Sequence, residues 1–80
     1  MTSTLLNKNP RAFFQGRKAK VIAKQRNIDG DEINKDEIVE IISRTRDSKI
    51  SLDIKSTSGI IIYNVWCEQL ELIPEENDKN

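Results

Sequence analysis

Apolar and polar residues alternate strictly from Lys49 to Lys55, with Ile50, Leu52 and Ile54 at every second position and Lys49, Ser51, Asp53 and Lys55 between them. A period of two sends alternate side chains to opposite faces of an extended backbone, so this stretch predicts a strand with one buried and one wet face. Arg17 to Gln25 reads the same way, with Ala19, Val21 and Ala23 on one face and Lys18, Lys20, Ile22 and Lys24 on the other. Thr57-Ser58-Gly59 predicts a hairpin turn. The near-continuous apolar run from Ile60 to Val65 that follows predicts a strand covered on both faces. Asn64 to Gln69 fits one helical turn, and Leu70 to Ile73 a short closing strand.

Glu37 to Thr45 satisfies two periods at once. On a helical wheel Ile38, Ile41 and Ile42 gather beside Val39, with acids early and cations late, as a helix dipole favours. Yet four of the five residues Ile38 to Ile42 are β-branched, no glycine closes the segment, and Asp47-Ser48 leads straight into the next strand as a tight turn would. Strand is the favoured reading; the alternative is an α+β chain with a helix at about 36–46. Arg26 to Asp36, with its Asp29-Gly30 turn signal, predicts a long polar excursion tethered by Ile28 and Ile33. Met1 to Gln15 shows no sustained period and is broken at Asn9-Pro10 and again at Gly16, which predicts a flexible arm. Phe13 and Phe14 point to opposite sides of an extended backbone, so one plugs the core and the other is left for contact. The polar, mostly acidic stretch 74–80 predicts a disordered tail. The expected organisation is a basic arm over 1–16, a folded unit over 17–73, and the tail.

Composition narrows what such a chain does. Eighty residues with 36% hydrophobic and 32% charged side chains make one domain with a thin core, too small for a deep substrate cleft. The chain has no histidine and a single cysteine, Cys67. General acid–base or nucleophilic chemistry usually needs a positioned histidine or a pocketed carboxylate pair, so a noncatalytic protein is expected. One cysteine makes neither a tetrahedral zinc site nor an internal disulfide, and Asp29 to Glu37 lacks the ligand spacing of an EF-hand. The sequence therefore calls for no cofactor or metal. Cys67 reads as a small buried hydrophobe. With no signal peptide or membrane span, the expectation is a cytoplasmic protein without a membrane role.

The formal net charge of zero hides an asymmetry. Met1 to Ile28 carries seven cations and no acid, whereas 29–80 carries all thirteen acids and six cations. Arg11, Arg17, Lys18, Lys20, Lys24 and Arg26 form the candidate basic surface, for a protein partner or for the phosphates of a nucleic acid. Two plainer readings stand beside it: the basic segment packs against the acidic half, or the lysines guard an edge strand against aggregation. Ile60, Ile62, Tyr63, Trp66 and Phe14 form the candidate apolar contact set, since the Ile60 to Trp66 run holds more apolar surface than a thin core absorbs.

The order strand, long polar loop, three strands joined by tight turns, helical turn, short strand resembles a small SH3-like barrel of the KOW-type and related bacterial and phage modules. The resemblance spans Arg17 to Ile73. It is carried by Val21-Ile22-Ala23, by the loop ending Lys35-Asp36-Glu37-Ile38-Val39, by the Ser58-Gly59 hairpin and by Gln69-Leu70-Glu71-Leu72-Ile73. The KOW glycine before the acidic residue is missing at Lys35-Asp36, and so is the acidic-aromatic tract of proline-binding SH3 domains. The resemblance implies a mostly β, five-stranded barrel and a noncatalytic binding role. The expected function is a small module docking on a larger protein assembly, such as an accessory or phage-encoded regulator or inhibitor of a host machine. The alternative is an RNA- or ribosome-binding module that uses the basic arm and first strand.

Overall fold

The computed structural model describes residues 1–74, so the predicted acidic tail falls, but for Pro74, outside the described residues. The chain is mostly β. Two short helices, α1 (Ser3–Lys8) and α2 (Arg11–Phe14), precede seven strands: β1 (Lys18–Val21), β2 (Gln25–Arg26), β3 (Glu32–Ile33), β4 (Ile38–Arg44), β5 (Ser51–Ser56), β6 (Ile61–Trp66) and β7 (Leu70–Leu72). A 3-10 turn, Cys67–Gln69, joins β6 to β7. Five strands make one antiparallel sheet in the order β6-β5-β4-β1-β7, and β2 pairs with β3 in a separate small ribbon.

The strand alternation predicts the main elements. Glu37 to Thr45 is a strand, β4, bonded to β1 on one side and β5 on the other, so the helix alternative at 36–46 falls. Its β-branched isoleucines settle it, with Val39 and Ile41 pointing into the core. Gly59, at φ 95°, turns the hairpin into β6, and Ser56 N–H bonds Ile60 O at 2.8 Å across it. The excursion between β1 and β4 folds into the β2–β3 ribbon. There Gly30, at φ 87°, takes the left-handed turn that Asp29-Gly30 signals. Ile33 tethers this excursion by full burial; Ile28 does not, standing wholly in solvent.

The N-terminal segment departs furthest from expectation. Instead of a flexible arm, it forms α1 and α2, which sink Leu6 and Phe14 completely into the core. Helices of six and four residues are far too short to stand alone, so tertiary burial forms them, at about 1.5–3 kcal/mol for each large side chain. Polar clips add to this. Thr2 caps α1 by accepting from Leu5 N–H, Arg44 Nη1 donates to Leu6 O at 2.9 Å, and Arg11 Nη2 donates to Arg44 O at 2.9 Å. The Met1 ammonium donates to Cys67 O and Leu70 O, holding the chain start against the 3-10 turn.

Three further expectations change. The lysine-bearing strand β1 is not an edge; it lies between β4 and β7, so edge protection is not the reason for its lysines. Ile50 is half exposed because the strand begins one residue later, the Ile50 N–H being taken up by Ser48 Oγ at 3.2 Å in the preceding turn. The Ile60 to Val65 run is covered on one face only: Ile62 and Val65 are buried, while Tyr63 and Asn64 are exposed. The register slips between Leu52 and Ile54, where Asn64 takes φ 62°. Asp53 Oδ1 pins that bulge, accepting from Asn64 N–H at 3.0 Å and from the Thr45 hydroxyl at 2.6 Å.

Candidate functional site at the open edge of the sheet

The sheet ends in β6 on one side, and among the described residues three of the six exposed large apolar side chains, Ile28, Tyr63 and Trp66, lie on or beside it, the others being Ile22, Ile38 and Ile50. From Gly59 to Cys67 the chain carries no charged residue. Tyr63 is 68% and Trp66 46% exposed on this strand, and Ile28, at 103%, stands on the adjacent excursion. Arg26, Asn27 and Ile28 from the excursion face Ile62 and Tyr63 across a cleft of about 330 Å³.

Asn27 builds this cleft. Its Oδ1 accepts from Asp29 N–H at 3.0 Å and from Asp31 N–H at 2.9 Å, which fixes the loop as an Asx turn. Its Nδ2 reaches across to Ile61 O at 3.4 Å. The wall is stiffened by Arg26, whose Nη2 and Nε donate to Glu32 Oε2 at 2.5 and 3.1 Å, while Lys24 Nζ lies 3.7 Å from Glu32. The Arg26 hydrogen bond, with the nearby Lys24 and Arg26 charges, holds the Glu32 carboxyl below its ordinary pKa.

The backbone of β6 leaves part of this edge open. Antiparallel pairs alternate between those that exchange hydrogen bonds and those that do not. The Ser56–Ile60 bond therefore turns Ile62 toward β5 and the Ile61 backbone away from it. Past the bulge, Cys67 N–H donates to Ile50 O at 2.7 Å, which turns the Trp66 N–H outward in the same way.

Of the apolar residues predicted for contact, Tyr63 and Trp66 lie together on β6 and Ile60 is partly covered at its start. Ile62 is a core residue, because β6 alternates and its position points inward. Phe14 is also core: α2 rotates it inward, where it meets the Phe13 ring edge-on at 5.0 Å. Ile28 and Ile50 were not among the predicted contacts. The available signal for Ile28 was a lone isoleucine amid turn residues, with no periodic partner to bury it.

The basic residues do not form one surface. Arg17 is buried, stacked over Phe13 at 4.8 Å with Nη2 near Ile73 O at 3.3 Å, so it is a packing residue and not a surface contact. Arg11 is spent on Arg44 O. Lys20 lies 3.6 Å from Asp36, and Lys24 and Arg26 share Glu32. Lys18 sits opposite Glu40, which in turn sits opposite Lys55, a row of alternating sign across the outer face. Four of the seven cations of 1–28, Lys18, Lys20, Lys24 and Arg26, thus face acids between Glu32 and Glu40.

Cys67 is fully buried, and desolvation pushes its thiol above the usual range. Among the described residues no helix is long and apolar enough to cross a membrane. No family model matches the chain, and no curated protein or solved structure matches it either.

Proposed function

We propose that the chain is a noncatalytic module that docks on a protein assembly through the β6 edge, with Tyr63, Trp66 and Ile28 as its buried contacts. The observation that carries this reading is the joining of exposed aromatics, an uncharged strand and an apolar cleft at one place. The strand order β6-β5-β4-β1-β7, with a 3-10 turn before the last strand, supports an SH3-like kinship in which the role is binding. A cytoplasmic accessory or phage-encoded regulator of a host machine fits a domain this small. Nucleic-acid binding is the weaker reading, because the cations are dispersed and the acids facing them leave no continuous phosphate track.

Affinity capture from a native lysate, with and without nuclease, tests this. Docking predicts one protein complex retained in both samples at moderate salt, and lost when Lys replaces Tyr63 and Trp66. Loss of all captured material on nuclease treatment would make nucleic acid the ligand. For that outcome the triple variant Lys18→Glu, Lys20→Glu, Lys24→Glu should abolish binding outright instead of slowing it.

A further inference from the structure

We infer that the β6 edge pairs with the β6 edge of a second copy of this chain, making a two-fold dimer with a sheet continuous across both. The inference rests on the reading of β6 as an interface and gives it a second copy as occupant, which competes with the assembly for Tyr63 and Trp66.

Two arguments select a second copy. An antiparallel edge is self-complementary about a two-fold axis, so one surface supplies both sides. Residues 59–67 carry no charge and the chain has formal net charge zero, so no like charges are forced together and the copies do not repel at long range.

The structure also sets where pairing occurs and where it stops. Asn27 already occupies the Ile61 carbonyl, which confines pairing to the stretch from Tyr63 to Trp66, where the Trp66 N–H is turned outward. The opposite edge, β7, has three residues with Glu71 at its centre, so a second round of edge pairing is discouraged and assembly closes at two. Fully covered, a Tyr or Trp buries about 150–250 Å². Tyr63 and Trp66 begin partly covered, so the whole interface falls below the ~1,200 Å² of standard complexes and the dimer is weak, with a Kd on the order of 100 µM.

Sedimentation equilibrium of the full chain from about 10 µM to about 1 mM tests the proposal. The apparent mass should climb from 9.2 kDa toward twice that value and level off. Tyr63→Lys, at a position already in solvent, should hold the mass at the monomer throughout with an unchanged circular dichroism spectrum; Trp66→Lys should do the same. Glu71→Lys should leave the dimer intact. In hydrogen exchange, the Trp66 N–H should gain protection as concentration rises. A constant monomer mass, growth past the dimer, or a dimer untouched by either β6 variant would each overturn the pairing. A monomer that still captures a partner through Tyr63 and Trp66 removes the self-pairing and leaves docking standing. Full capture by the β6 variants removes docking itself.

Discussion

The two edges of the sheet are built differently. β7 has three residues, carries Glu71 at its midpoint and is followed within two residues by Pro74. Charge, brevity and proline are the usual devices that keep a free edge from pairing. β6 has twice the length, no charge and two exposed aromatics; a bulge interrupts it, and β2 packs beside its start with the Asn27 amide on Ile61 O. This contrast is what supports the proposal that β6 is the contact edge. The outer face is mixed by contrast, its row Lys18, Glu40, Lys55 alternating in sign beside the exposed Ile38.

Removing the packing on which both edges depend should have the largest effect. Phe14→Ala empties a fully buried site and should cost about 3–5 kcal/mol, seen as a lowered urea midpoint; Leu6→Ala should cost about 2–5 kcal/mol. A flexible arm would give almost no change. Next in size is the pair Tyr63→Lys and Trp66→Lys, which should weaken partner capture at least tenfold; Tyr63→Lys, largely in solvent, should move stability by about 0.5 kcal/mol or less, and Trp66→Lys, more than half covered, by about 1–3 kcal/mol. Opening the blunt edge sharpens the contrast further. Glu71→Ile should make oligomers beyond the dimer appear by light scattering, since both edges would then be free of charge.

The smallest expected effects are electrostatic. Glu32 titrates below its ordinary value because Arg26 bonds it and Lys24 adds its charge. Its contribution is therefore present above the unfolded carboxyl range and is lost as pH falls through the lower folded value. Arg26→Ala should abolish that acid-side fraying of the β2–β3 ribbon, followed by amide shifts of Gln25 to Ile33. Cys67 has the opposite sign. Its thiol is raised by burial, so its contribution is complete below the unfolded thiol pKa and falls as pH climbs above it. Native protein should react slowly with thiol reagents until it unfolds.

The strands were legible in the sequence because sheets with one wet face write a period of two, as β1 and β5 show. β4 required the β-branched count to overrule a helical wheel. The N-terminal helices were not legible: six and four residues are shorter than any periodic window, and only the finished core explains why Leu6 and Phe14 fold inward. Part of the exposed apolar surface at β6 could be read. The Ile60 to Trp66 surplus pointed to Tyr63 and Trp66, but Ile62 needed the register and Ile28 needed the Asn27 turn to be placed. The neighbours of the basic stripe were not legible because sequence shows charges without their partners, and Asp36 and Glu32 lie a loop away from the lysines they meet.

The most direct test of the account puts a photo-crosslinker on each edge in turn. With p-benzoylphenylalanine at Trp66 or at Glu71 in otherwise unaltered chains, irradiation in a native lysate treated with nuclease should give discrete protein adducts from position 66 and none from position 71. Equal labelling from both edges, or adducts from Glu71 alone, would contradict the assignment of β6 as the docking edge.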